Sequence, residues 1–188
     1  MPMVSYRSLL PIETERIAAH LARLPPDDRR WRFFGQLSGE AAALHARQID
    51  WRHTVAIGAF EHGVLRGVAE LSCLDRSCEL AVSVEPHLQR HGVGTELVGR
   101  ALLAARNHRM GRISVEWLHG NAGMSAIAAK LAARRHIAGD EESAEIEIAA
   151  PSHASVLREW TGEAWGWLSD LTDRMTWFGL PAKVGYAP

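Results

Sequence analysis

Cys78-Glu79-Leu80-Ala81-Val82-Ser83-Val84-Glu85-Pro86-His87-Leu88-Gln89-Arg90-His91-Gly92-Val93-Gly94-Thr95-Glu96-Leu97 is the most informative stretch of this chain. The apolar run up to Val84 reads as a buried strand, and Pro86 stops it because proline has no N–H to give to a ladder. Gly92 and Gly94 then open a helix, whose first backbone N–H groups lack intrahelical partners and carry the positive end of the dipole. Such a junction suits a pyrophosphate. Neither glycine puts a Cβ in the way of phosphate oxygens, and Thr95 adds a hydroxyl donor.

Downstream, Leu97, Val98, Ala101, Leu102 and Ala105 trace one apolar helix face that stops near Asn107, and residues 113–118 read as a strand. The unit is therefore strand, loop, helix, strand. A second helix is expected over 121–135, with Asn121 as N-cap and Met124, Ile127, Ala128 and Leu131 inward. Residues 144–149 alternate glutamate with apolar side chains, as an exposed strand would.

Upstream, residues 4–10 read as a first strand and 12–24 as an amphipathic helix that Pro25-Pro26 ends. Asp27 and Asp28 are placed to cap a short segment over 29–35, and 39–49 is alanine-rich and helix-like. Strands are expected over 53–61 and 64–73, joined at His62-Gly63, with 78–84 following after the turn Leu74-Asp75-Arg76-Ser77.

The 188 residues fit one domain with at most an appendage, and a net charge of -1 argues against a broadly basic nucleic-acid surface. Met1-Pro2-Met3-Val4-Ser5-Tyr6-Arg7 has no basic region followed by an apolar run, and no window approaches a membrane span, so a cytoplasmic protein is expected. Cys73 and Cys78 flank the hairpin turn and face each other across paired strands; reduced, inert thiols are expected. Beyond Pro151, Trp160, Trp165, Trp167 and Trp177 accompany Leu157, Leu168, Leu171 and Met175 at near-helical intervals. A helix packed on the domain through its aromatic rings is expected, with a dimer surface or a wall of the acceptor pocket as the alternatives.

The spacing Gln89-Arg-His-Gly-Val-Gly94 resembles the Gln/Arg-x-x-Gly-x-Gly/Ala signature of the GNAT superfamily of N-acetyltransferases. The order of elements over 4–150 is similar to the core of that family. Arg32-Phe33-Phe34, Ile49-Asp50, Glu79-Leu80-Ala81-Val82, Asn121-Ala122-Gly123-Met124 and Lys130-Leu131 further resemble the acetyltransferase domain of bacterial protein lysine acetyltransferases. The resemblance implies an α/β GNAT fold over 1–150. Its sheet would be mixed and mostly antiparallel, with helices on both faces, and the tryptophan-rich helical extension would occupy 151–188.

It also implies acetyl-CoA as acyl donor, a primary amine of a protein lysine or small molecule as acceptor, and direct attack in a ternary complex. The loop Gln89, Arg90, His91, Gly92, Val93, Gly94 and Thr95 would hold the pyrophosphate through its backbone. Val82, Ser83 and Val84 would pair with the pantetheine arm, Asn121 would touch the pantetheine or the sulfur, and Glu79 would be the general base. No metal is implied. Many relatives carry a tyrosine in the second helix that protonates the leaving thiolate, where this chain has Ala128, and Ala132-Ala133 replaces the usual Gly-Phe. The alternative function is a non-catalytic acyl-CoA-binding module that uses its tail to contact a partner, and a homodimer is among the expected assemblies.

Three other site patterns fit the sequence less well. Gly92-Val93-Gly94 with Glu116 superficially fits a dinucleotide fold, but Leu97 stands where the third glycine belongs. His87 and His91 have i, i+4 spacing yet lie in a loop, with no third metal ligand in sequence. The pattern Gly-x-x-x-x-Gly-Lys-Ser/Thr does not occur. Acidic candidates for a cationic acceptor, Glu40, Asp50 and Glu61, carry no positional signal.

Overall fold

A computed structural model describes residues 4–131 and 134–177, with side chains described as far as residue 172. The replacement at Ala132-Ala133, the side chains of Met175 and Trp177, and Tyr186 lie outside the described residues. In chain order the elements are β1 (Val4–Ser8), α1 (Thr14–Arg23), α2 (Pro26–Phe33), α3 (Gly39–Arg47), β2 (Thr54–Glu61), β3 (Val64–Leu74) and β4 (Ser77–Val84). They continue with α4 (Val93–Asn107), β5 (Arg112–Leu118), α5 (Ala122–Lys130), β6 (Arg134–Ala138), β7 (Glu141–Glu147) and α6 (His153–Trp177).

The strands form one sheet in the order β1-β2-β3-β4-β5-β7-β6. Every pairing is antiparallel except β4 with β5, which the α4 crossover makes parallel. The β2–β3 hairpin turns at His62 and Gly63, both in the left-handed region at φ 50 and 72, as the favoured two-residue hairpin turn requires. Leu97, Val98, Ala101 and Ala105 of α4 pack with Leu71, Leu80, Ile113 and Trp117 on one face of the sheet. Ile17, Leu21, Ala42 and Ala46 of α1 and α3 cover Phe60, Leu65 and Val68 on the other.

Several boundaries differ from the expectations. Proline opens α2 instead of preceding it, because its fixed φ and missing N–H suit the first helical turn, and Phe34 ends that helix at φ 59. Three helices, not two, therefore lie between β1 and β2. Helix α5 stops at Lys130 instead of reaching Arg135, and the chain re-enters the sheet as β6, which pairs with β7 from Arg134↔Glu145 to Ala138↔Glu141. The expected final strand begins earlier, at Glu141.

Cys73 and Cys78 form a disulfide, contrary to the expectation of free thiols. The β3–β4 register places them directly opposite, with Cα atoms 4.0 Å apart. Among the described residues no helix is long and apolar enough to cross a membrane.

Helix α6 packs on β1 and α4, mainly through polar and small groups. Buried Arg7 donates to Asp170 and Glu13, Glu163 accepts from the Ser8 backbone and hydroxyl, and Asn107 donates to Glu159. A Cβ on Gly166 would collide with the Tyr6 carbonyl, so only glycine permits this approach. Trp160 and Trp165 remain 76% and 74% exposed, which corrects the aromatic-burial expectation for the described side chains; Trp167, still partly exposed, stacks on the Arg7 guanidinium.

Candidate active site

Strands β4 and β5 pair only from Ser77↔Arg112 to Glu79↔Ser114 and then separate. From Leu80 onward the β5-facing edge of β4 has no strand partner, while its other edge stays paired to β3 as far as Val84↔Gly67. A cleft of about 510 Å³ opens in this wedge, within the roughly 300–1,000 Å³ of ligand sites. Its walls are β4, the loop into α4, β5, the start of α5, and α2.

The loop folds as its glycines dictate. Gly92 is the N-cap of α4 at φ 86, a conformation that side-chain-bearing residues adopt at a cost. A Cβ there would meet nothing within 4 Å, whereas one on Gly94 would touch Ile127 and Val84. Conformation therefore requires the first glycine, whereas a Cβ at the second would make only ordinary contacts with α5 and β4. Gln89 ties the loop down by donating to the Val84 carbonyl at 2.9 Å and to Asp28 of α2 at 3.0 Å. Burial pushes the Asp28 carboxyl up against the effect of that hydrogen bond.

Most of the expected site residues meet in this one cleft. Glu79, Val82, Ser83, Val84, Gln89, Arg90, Gly92, Gly94, Thr95 and Asn121 all line it. Asn121 caps α5, accepting from the Met124 N–H at 3.1 Å, which leaves its amide hydrogens toward the cleft. Two residues do not line it. Val93 turns into the core at 3% exposure, and exposed His91 bonds the Gln89 carbonyl through Nδ1 at 2.7 Å. Only their backbones remain to serve a phosphate.

Residue types alternate along β4. Leu80 joins the α4-side core with Val82 and Val84 packed against it, so Glu79, Ala81 and Ser83 occupy the face toward α1 and α2. Register puts Ser114, and two residues later Glu116, on that same face of β5. The cleft thus has one side at α4 and α5 and another under α2.

Sequence reading missed the side under α2. Asp28, Trp31, Arg32 and Phe34 form its roof, with Trp31 packing over Gly120, and Glu116 lines its far wall. Glu40, Asp50 and Glu61 do not line the cleft; Asp50 pairs with Arg52, and Glu61 with His87. The arginine-rich run of α2 was the available signal, but nothing local says that a helix 50 residues away in sequence covers β4. Arg32 is backed by Glu70 of β3 at 2.9 Å. Burial opposes ionisation of Glu70, but Arg32 and His45 prevail and hold its pKa at about 2. Among the described residues none of the tail and no tyrosine lines the cleft. Among the described residues no group of His, Cys, Asp and Glu is arranged to hold a metal ion.

Solved structures share this architecture. The chain is similar to the GNAT domain of S. lividans PAT at 16% identity and TM-score 0.63, covering 76% of this chain and 89% of that one. Similar too is the ribosomal-protein-S18-alanine N-acetyltransferase of Escherichia coli, at 16% identity and TM-score 0.60 over 80% and 97% of the two chains. So is the PaiA N-acetyltransferase of Thermoplasma acidophilum in complex with coenzyme A, at 15% and 0.59 over 77% and 99%. At these identities the likeness speaks for the fold. The sequence itself matches the acetyltransferase (GNAT) family over residues 22–136, more than half of its length. With the splayed strands and the glycine-opened helix in place, this match makes the chain a member of the acetyltransferase (GNAT) family.

Proposed function

We propose that the protein transfers the acetyl group of acetyl-CoA to a primary amine, of a protein lysine or a small molecule, by direct attack in a ternary complex. One observation carries this reading: the unpaired edge of β4 and the glycine-capped start of α4 open into the same cleft. The first turn of α4 holds the pyrophosphate through N–H groups and helix dipole, each such interaction contributing about 0.3–1 kcal/mol. Arg90 and Lys130 stand at the same mouth as counter-charges.

The pantetheine arm takes the place of the missing strand beside Val82, Ser83 and Val84, and an N–H there polarises the thioester carbonyl. Loss of one such donor costs about 3 kcal/mol in comparable sites. The acceptor enters beneath α2, between Glu79 and Glu116. An alkylammonium with a solution pKa of about 10.4 must lose a proton before it can attack. Glu79 takes it, directly or through a water.

Incubation with acetyl-CoA and a panel of amines, followed by release of free thiol, tests the reading. Turnover is expected, and Glu79→Gln is expected to lower kcat about 100-fold with coenzyme affinity retained. Tight coenzyme binding without turnover on any amine would instead favour a non-catalytic acyl-CoA-binding module.

A further inference from the structure

Behind the acceptor wall lies a polar cluster that the mechanism above does not use. His20 of α1 is fully buried; its Nε2 lies 2.9 Å from the Ser83 hydroxyl and its Nδ1 lies 3.3 Å from Glu85. Glu85 in turn accepts from Arg23 at 2.9 Å and from Arg66 at 2.8 Å. Burial works against its charge, but His20, Arg23 and Arg66 bring its pKa down to about 2, so it is a carboxylate and can only accept.

Those partners fix every hydrogen in the chain. Nδ1 must donate to Glu85, so Nε2 carries the lone pair and accepts the Ser83 O–H. Ser83 therefore presents oxygen lone pairs, backed by a neutral imidazole, to the cleft that it lines. A hydroxyl hydrogen-bonded to a base that a third group orients is the arrangement that moves protons in acyl transfer.

The proton count of the reaction calls for such a device. An ammonium acceptor loses two protons, one to become a nucleophile and one when the tetrahedral adduct collapses to an amide. Glu79 and Ser83 are four residues apart, roughly 13 Å along a strand. One nitrogen cannot touch both, so Glu79 takes the first proton through water and Ser83 the second. The carbonyl polarised at Val82, Ser83 or Val84 in the proposed reaction would lie at the Ser83 end, and no tyrosine among the described residues lines the cleft to protonate the thiolate.

We propose that Ser83 is a second catalytic residue, which with His20 and Glu85 as its positioning partners takes the proton of the tetrahedral nitrogen and returns one to the departing CoA sulfur. In the first movement the nitrogen proton passes to Ser83 Oγ while the hydroxyl proton passes to His20 Nε2. The carbon–sulfur bond then breaks, Nε2 returns its proton to Oγ, and Oγ releases one to the thiolate. Amine and thioester become amide and thiol, and the relay is restored. The inference rests on the proposed amine acetylation.

The test measures amine turnover, acetyl-CoA affinity and thermal stability in wild type, Ser83→Ala, His20→Gln and the double variant. Ser83→Ala is expected to lower kcat about 100-fold with KM for acetyl-CoA changed less than about threefold. His20→Gln retains one hydrogen-bond acceptor and one donor but cannot take up a proton. As a relay partner it remains as impaired as Ser83→Ala, and the double variant is no slower than either.

The pH profile adds a readout that packing alone would not move. Burial lowers the His20 pKa against the pull of Glu85, with Arg23 lowering it further and Glu70 of β3 raising it. Ser83 of β4 and Glu85 just after that strand face the ring, and Arg66 reaches it through Glu85. Activity should therefore persist below the ordinary histidine value of 6.5, with an acid limb that His20→Gln removes. Ser83→Ala with half or more of wild-type kcat, or His20→Gln at full rate, overturns the relay alone. Wild type that binds acetyl-CoA and acetylates no amine overturns both the relay and the proposed function.

Discussion

Glu70 and Glu85 show how single buried charges set the pH range of this fold. Both are nearly inaccessible, and both are held ionised by cations reaching over from helices or a neighbouring strand. Their folded pKa values of about 2 lie below the ordinary 4.5, so the unfolded chain takes up protons first. The stability they contribute is complete above pH 4.5 and drains away as the pH falls toward 2. Thermal melts over that range should show Tm falling throughout, with a shallower slope in Glu85→Gln; an identical slope would remove Glu85 from the account. His20 acts in a higher window. Its lowered pKa means that stability is complete above 6.5 and declines as the pH drops below it, a decline His20→Gln should abolish.

Among the elements, the β4–loop–α4 unit was the most legible in sequence, because Pro86, Gly92 and Gly94 each have one conformational meaning. Val84 ends the strand, and α4 begins at Val93. Helix α2 was less legible, since Pro26 is equally a stop for one helix and a first residue for the next. Strand β6 left no pattern to find: Arg134, Arg135, His136, Ile137 and Ala138 are all exposed, so nothing alternates. The cysteines misled because compartment averages were set against a register that puts them face to face. The α2 roof of the cleft was invisible for a further reason: periodicity defines a helix face but not the strand it covers. Two predictions belong at this level. Replacing both Cys73 and Cys78 by serine should cost about 2 kcal/mol in urea unfolding, the entropy of a short closed loop. Gly92→Val should cost about 1–3 kcal/mol, because φ 86 strains a β-branched residue. A neutral result in either experiment would contradict the corresponding assignment.

At the scale of the whole molecule, a seven-stranded sheet splits at its one parallel junction, and the cleft lies where that split meets a helix start. The far edge is closed differently. Helix α6 turns Gly166, Glu163 and Asp170 toward β1 and leaves Leu157, Trp160, Leu168 and Leu171 exposed, so charge and close approach attach it, not apolar burial. Arg7 is the centre of that attachment, fully buried between Asp170, Glu13, Phe60 and Trp167. Arg7→Met takes the cation from buried carboxylates and should cost about 3–5 kcal/mol, read as loss of Tm and of α6 protection in hydrogen exchange. Because no described residue of α6 lines the cleft, coenzyme affinity of the folded variant should follow wild type.

The most direct test is isothermal titration of coenzyme A into wild type and into a Gly92→Val, Gly94→Val variant whose folding has been verified. A bulky residue at each position closes the backbone approach at the start of α4, so the account predicts saturable binding by wild type and an affinity about tenfold or more weaker in the variant. No binding by wild type, or equal affinity in both proteins, would contradict it.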